Sequence, residues 1–232
     1  MSATYRQSSA VSADLASRDP ENVLLARGPR FRVEAEILRD AALRDAGLLS
    51  SKMYGPSVFP AQLPSITTEG TYGPLTWTVS SGEDRYRRSL YTFAKRTAPF
   101  AVFNTFDAPT GEACIARREV SDTPLQALTL LNDQIFMEAA QALGKTIAEK
   151  KDLSNDGARV TWLFRRCLTR PPGQDESDAL VSFVKSTRER FAKKEMDPAK
   201  VAGATGGNSI ERATWTATAR AVLNLDEAVT KD

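Results

Sequence analysis

Histidine is absent from the chain. That absence removes Ser-His-Asp and Cys-His catalysis, His-ligated zinc or iron and His-ligated haem within these residues. Any proton transfer has to use Asp, Glu, Lys, Tyr, Cys or an outside group. Cysteine is scarce as well: Cys114 and Cys167 are the only two. They form no C-x-x-C pair, which excludes a Cys-rich metal site. A bridge between them would close a loop of about 54 residues and contribute roughly 4 kcal/mol on chain-entropy grounds. Two unpaired thiols is the simpler reading. Cys167 follows Trp162, Leu163 and Phe164 closely, the surroundings of an ordinary core thiol.

Long apolar runs are missing too. None reaches the length of a transmembrane helix. The Ser-rich first residues, MSATYRQSSAVSADLASRDP, lack the apolar segment of a signal peptide. Nor is there an excess of charge of one sign. Lys plus Arg is 31 and Asp plus Glu is 29, a net charge of +2. That balance argues against a dedicated nucleic-acid binder. The glycines between Gly203 and Ser209 match no phosphate-loop pattern and follow no strand signal, so 197–209 reads as a linker. No internal repeat is visible.

What remains suits one domain. The chain has 232 residues, 41% of them apolar, enough for a sizeable core. Residues 1–18 read as a loop-like lead-in. Asp19-Pro20 reads as the start of a short helical turn through Leu24 and Leu25. A stronger helix is expected over 31–46, with Val33, Ile37, Leu38, Ala41 and Ala42 on its apolar stripe and Gly47 as its stop. On this reading Glu34, Glu36, Arg39, Arg44 and Asp45 are solvated.

Residues 50–82 are punctuated by glycine and proline, and no helix persists through them. Their apolar content, from Met53 and Val58 to Leu75 and Trp77, predicts a long loop packed on the body. Ser89 to Ala94 reads as a short strand or one helical turn. Pro99 and Pro109 keep the next part irregular, with Phe93, Phe100, Phe103 and Phe106 as anchors.

Thr123-Pro124-Leu125-Gln126 carries a capping box with proline at the first helical position. The helix through Leu125, Leu128, Leu130 and Leu131 is apolar on most sides and is expected to be central. Asn132-Asp133 can cap a second helix to about Lys150. Asn155-Asp156 starts another, stopped by Pro171-Pro172. A long amphipathic helix is expected over 175–194, with Leu180, Phe183, Val184, Thr187 and Phe191 inward. A last helix over 210–229 carries Trp215, Ala219, Val222 and Leu223 on one face. The fold class is therefore mainly α: about six helices, a long irregular Gly/Pro-rich region and little or no β-sheet.

The stretch from Arg87 to Asp133 concentrates aromatic and basic residues but holds no catalytic or cofactor motif. Its cations, Arg87, Arg88, Arg96, Arg117 and Arg118 with Arg85 and Lys95 beside them, have the fork geometry or charge for an anionic ligand. The same residues can instead tie irregular loops together through backbone carbonyls and Asp107, Glu112 and Glu119. Asp107 and Glu112 are the one candidate carboxylate pair for glycosidic hydrolysis. Cys114 beside Arg117 and Arg118 could ionise more readily, but with no histidine as its base.

Several strings resemble one family. They are Ser2-Ala3-Thr4-Tyr5-Arg6-Gln7-Ser8-Ser9, Asp19-Pro20-Glu21-Asn22, Arg87-Arg88-Ser89-Leu90-Tyr91-Thr92-Phe93 and Lys95-Arg96-Thr97. Phe106-Asp107-Ala108-Pro109, Thr123-Pro124-Leu125-Gln126-Ala127-Leu128 and Leu130-Leu131-Asn132-Asp133 follow, with Arg170-Pro171-Pro172 and Leu223-Asn224-Leu225-Asp226-Glu227 behind them. Together they resemble the C-terminal module called domain of unknown function 1553, found in planctomycete cytochrome c domain-containing proteins. Against the family pattern, Asp122 stands for asparagine, Gly111 for arginine and Gln134 for proline. Residues 2–9 resemble a point inside that module, which implies an N-terminally truncated single domain over 1–232.

The resemblance implies an exported, cell-envelope setting and no transferable activity. No haem motif accompanies it, so no cofactor is expected in this chain. The resulting expectation is a non-catalytic binding or scaffold module of a larger envelope protein. Its partner would be a cytochrome c-type or other envelope domain, or a polysaccharide, with no nucleic acid and no membrane span. A polysaccharide hydrolase using Asp107 and Glu112, or an accessory of a cytochrome c-type redox protein, are the alternatives.

Overall fold

Capping residues and apolar side chains at helical spacing set most of the helix boundaries. The computed structural model describes residues 2–62, 77–96, 99–204 and 208–231. These residues are mainly α. In chain order the helices are α1 (Ala13–Arg18), α2 (Ala35–Asp45), α3 (Ala101–Thr105), α4 (Pro124–Asn132), α5 (Gln134–Glu149), α6 (Asp156–Leu168), α7 (Gln174–Ala192), α8 (Pro198–Ala202), α9 (Ser209–Leu223) and α10 (Asp226–Val229). Six of those described run 9 residues or longer, in line with the number expected. Strands β1 (Phe31–Arg32) and β2 (Thr230–Lys231) pair antiparallel and tie the approach to α2 to the far end of the chain.

The caps act as their chemistry dictates. Thr123 and Gln126 close the capping box of α4, each bond at 3.4 Å. The Asp133 carboxylate accepts from the Ile135 N–H at 2.9 Å to start α5. Asn155 accepts from the Ala158 N–H at 2.8 Å to start α6. Each such cap is worth roughly 0.5–2 kcal/mol. Gly47 takes φ +73° just past α2, the conformation that ends a helix without steric cost.

The centre of the core is the crossing of α5 with α9. Ala139, Ala140, Leu143 and Ile147 meet Trp215, Ala219 and Val222, all buried. Helix α6 adds Val160, Leu163 and Phe164 from one side; α2 adds Leu38, Ala42 and Leu43 from another. Burying each large apolar side chain contributes about 1.5–3 kcal/mol.

Several expectations are corrected. The Leu-rich helix α4 is peripheral, not central: Leu125 is 61% and Leu128 55% exposed, while Gln126 and Leu130 turn inward. Apolar residues lie on most sides of α4, but Leu130 is its one buried apolar side chain among the described residues. Ile37 and Phe183 are likewise exposed. The lead-in contains a helix, α1, capped by Ser12.

Asp19 starts no helix. Its carboxylate accepts from the N–H groups of Val23 and Leu24 at 2.8 and 2.9 Å and stabilises a turn. Segment 197–209 contains α8, started by Asp197 accepting from the Ala199 N–H at 2.9 Å; its residues 205–207 lie outside the described set. The last helix breaks at Asn224 into α9 and α10. In the long 50–82 loop, Val58 and Ala61 are buried and the Trp77 indole donates to the Pro60 carbonyl at 2.7 Å. Residues 63–76, with Leu63, Ile66, Tyr72 and Leu75, lie outside the described set. Ser89–Tyr91 is one 3-10 turn, and α3 interrupts the stretch expected to be irregular. Cys114 is exposed and Cys167 buried, both free.

Asp45, expected to be solvated, is half-buried at the end of α2. Burial pushes its pKa from 3.8 up to about 6, against the pull of Arg44, Arg166 and Lys231. Burial, with the charge of Asp45, pushes the Cys167 thiol to about 12. A carboxyl raised in the folded state favours the protonated form. Its contribution is present at low pH and is lost as pH rises through roughly 4 to 6. After discounting for partial exposure, the cost of keeping it charged at pH 7 is about 2 kcal/mol. Asp45→Asn is therefore expected to stabilise the protein by that amount at pH 7 and to leave it unchanged near pH 4. Denaturant unfolding of both proteins across this range checks it, and a difference independent of pH contradicts it.

Candidate functional site

The central stretch hangs on one buried arginine. Arg39 of α2 is 0% exposed, although sequence spacing marked it as solvated. Its guanidinium donates to the Arg87 carbonyl at 2.9 Å, to Ser89 Oγ at 3.3 Å and to the Arg85 carbonyl at 3.3 Å. Beside it the Asp40 carboxylate accepts from the Ser89 N–H and O–H at 2.8 and 2.7 Å. These bonds hold residues 85–89 across α2.

Arg85 and Tyr86 reach Glu138 of α5. Arg87, 1% exposed, donates to the carbonyls of Pro56 and Tyr54 and lies 3.7 Å over the Tyr91 ring. Arg87 is thus a loop tie. It lines neither of the two clefts described below.

A cleft of about 670 Å³ opens between the first half of α2, residues 88–96 and residues 99–111. Phe93, Phe100 and Phe103 are among its lining residues. Phe93 stacks on Phe59 at 4.8 Å, and Phe100 meets Phe103 edge-on at 5.0 Å. Its rim carries charges of both signs: Glu34, Glu36 and Asp40 against Arg88, Lys95, Arg96 and Arg118.

The acids are mostly engaged. Glu36 accepts from Arg118 at 2.7 and 3.2 Å. Burial opposes its ionisation, but the bonds and charge of Arg118 win and hold its carboxyl below the usual range. Asp40 is bound to Ser89 and lies 4.0 Å from Arg88. Lys95 and Arg96 are different: among the described residues neither has a hydrogen bond or an ion pair.

A smaller cleft of about 200 Å³ adjoins it, lined by Arg32, Glu34, Asp107, Arg117, Arg118 and Gln126 among others. Asp107 sits there at φ +59°, a conformation that costs a non-glycine residue on the order of 1–3 kcal/mol. Its carboxylate accepts from the Ser121 N–H at 2.8 Å and from the Ser121 O–H at 2.8 and 2.9 Å. The Gln126 amide donates to the Thr105 carbonyl and to Ser121 Oγ, both at 3.0 Å, and accepts from Arg32 at 2.8 Å. This network orders the loop before α4. Glu112 is exposed on its loop and lines neither cleft. The candidate carboxylate pair therefore shares neither of these two clefts.

Four of the five candidate arginines, Arg88, Arg96, Arg117 and Arg118, line the two clefts. Sequence reasoning missed Glu36 and Asp40 as cleft residues, since alternation with apolar neighbours reads as a solvated face. It found Gln126 as a cap but not as a buried tie. Among the described residues no group of three or more His, Cys, Asp or Glu side chains is placed to hold a metal ion. No helix of those residues is long and apolar enough to cross a membrane.

Fold and site together describe a mainly α domain with two adjoining mixed-charge clefts on irregular segments pinned to α2. The chain belongs to the family described as PSD1, protein of unknown function (DUF1553), whose model matches residues 1–184. The match ends inside α7, and α9, which completes the core, lies past it. No curated protein and no solved structure matches the chain.

Proposed function

We propose that this domain is a non-catalytic binding module that takes an anionic polysaccharide in the larger cleft. One observation carries the reading: Lys95 and Arg96 line the cleft together with Phe93, Phe100 and Phe103 and have no partner among the described residues, whereas Arg39, Arg85, Arg87 and Arg118 are all engaged. An unpaired cation in a concave site favours an anion from outside. The phenylalanine rings offer the C–H faces of a sugar an apolar surface. In the exported setting that the family resemblance implies, with cytochrome c-type domains in the parent proteins, such a module would hold its parent on envelope polysaccharide. Asp107 and Glu112, the carboxylates of the hydrolase alternative, share neither cleft.

Thermal unfolding with dextran sulfate and with uncharged dextran tests this. Ligand that binds only the folded state raises its stability, so dextran sulfate is expected to raise the unfolding midpoint and plain dextran to leave it. The double substitution Lys95→Ala, Arg96→Ala is expected to weaken dextran sulfate binding by about tenfold without lowering the midpoint of the free protein. A midpoint that dextran sulfate leaves unmoved overturns the proposal.

A further inference from the structure

The two clefts share Glu34 and Arg118 among their lining residues. Arg118 donates to Glu36 and lies 3.7 Å from Glu34, so side chains form the boundary between them. Unpartnered cations stand on either side: Lys95 and Arg96 in the larger cleft, Arg117 in the smaller, none with a hydrogen bond or ion pair among the described residues. Glu34 gives the first turn of α2 no side-chain cap, so the positive end of that helix also lies at the boundary.

Resting on the binding reading above, we infer that the clefts form one track for an extended polyanionic saccharide. One anion subsite is at Lys95–Arg96 and a second is at Arg117. A small anion can meet one group of cations only; a chain that spans the boundary meets both.

The spacing of charge selects the class of chain. Glu34, Asp40 and Glu119 stand among the cations. Duplex DNA carries one negative charge per about 1.7 Å of axis and would set phosphates against those carboxylates. A sulfated or carboxylated sugar chain carries its anions at intervals and presents hydroxyl groups between them. Those hydroxyls can donate to Glu34 and Asp40 while the anions meet lysine and arginine. Arg117 is exposed, so its removal tests recognition without touching the core.

Calorimetric titration of the full chain with size-defined heparin oligosaccharides decides it. Affinity is expected to rise by about tenfold or more from disaccharide to hexasaccharide, the gain from engaging a second linked site, and then to level off. Arg117→Ala is expected to bring the hexasaccharide close to the disaccharide while leaving the disaccharide unchanged. Arg96→Ala is expected to weaken both. Lys193→Ala, at an exposed lysine on the end of α7, serves as the general-charge control and is expected to change neither.

Equal affinity at all lengths, or an unaltered hexasaccharide affinity in Arg117→Ala, overturns the track and leaves the single-cleft reading standing. No binding of either oligosaccharide overturns both. A loss in Lys193→Ala as large as in Arg117→Ala reduces the effect to bulk charge and overturns the second subsite. A single-stranded oligonucleotide that binds more tightly than the hexasaccharide overturns the assignment to saccharide.

Discussion

Gly144→Ala is expected to destabilise the whole domain by about 3 kcal/mol, although alanine is the better helix former by roughly 1 kcal/mol. The reason is the distance between two backbones. A Cβ built on Gly144 of α5 would lie 2.4 Å from Thr216 Oγ1, 2.6 Å from the Thr216 nitrogen and 2.8 Å from the Arg212 carbonyl oxygen of α9. Two of those three atoms are main chain and cannot rotate away. Relief requires the helices to separate, and Ala139, Ala140, Leu143, Trp215 and Ala219 pack across the same crossing. Opening it forfeits close contacts along the length of both helices.

Urea unfolding should show a lower midpoint with the same slope, the sign of lost stability without a change of unfolded state. Thr216→Ala in the Gly144→Ala background should recover only part of the loss, because it removes the hydroxyl and leaves the two main-chain clashes. A Gly144→Ala protein as stable as the parent would show that the helices do not approach this closely.

How much of this was legible follows from range. The capping box of Thr123 and Gln126, the Asp133 and Asn155 caps and the positive φ of Gly47 are settled within a few residues. Sequence alone therefore announces them. Gly144 sits mid-helix, where a glycine reads as a small loss of helix propensity; its meaning lies in Thr216, which only the packed structure brings near. Leu125 and Leu128 have the composition of core residues, but whether α4 is covered on one side or two depends on what packs there.

The site divides in the same way. The basic doublet Lys95-Arg96 and the pair Arg117-Arg118 are visible in the sequence. Which of them is consumed by a partner is not: Glu36, 82 residues away, takes Arg118 and leaves Arg117. The family was legible because many short strings agree along the chain; the matched span of 1–184 takes in all of them except Leu223-Asn224-Leu225-Asp226-Glu227.

Arg39 is the clearest case of a residue decided at long range, and Arg39→Met is expected to cost about 3–5 kcal/mol. Its spacing, one position past Leu38, puts it at the edge of the apolar stripe of α2. Burial draws its pKa below the ordinary guanidinium value, opposed mainly by the nearby charges of Asp40 and Asp133. It stays buried and charged because carbonyls 46 and 48 residues away accept hydrogen bonds from its N–H groups. Methionine fills similar space but leaves the carbonyls of Arg85 and Arg87 without their donor and Asp40 without its neighbouring charge. Arg39→Lys keeps the charge but presents a point donor where three acceptors are spread, so an intermediate loss of about 2 kcal/mol is expected.

The lysine variant separates fold from site. Residues 85–89 lead directly into Phe93, Lys95 and Arg96, so a loosened anchor should speed amide exchange there before it affects α5 and α9. Dextran sulfate binding should weaken in Arg39→Lys even though Arg39 lines neither cleft. Exchange that rises equally in α5 would mean that Arg39 supports the core as a whole. Unchanged exchange at 85–96 with unchanged unfolding would mean that the buried fork holds nothing in place.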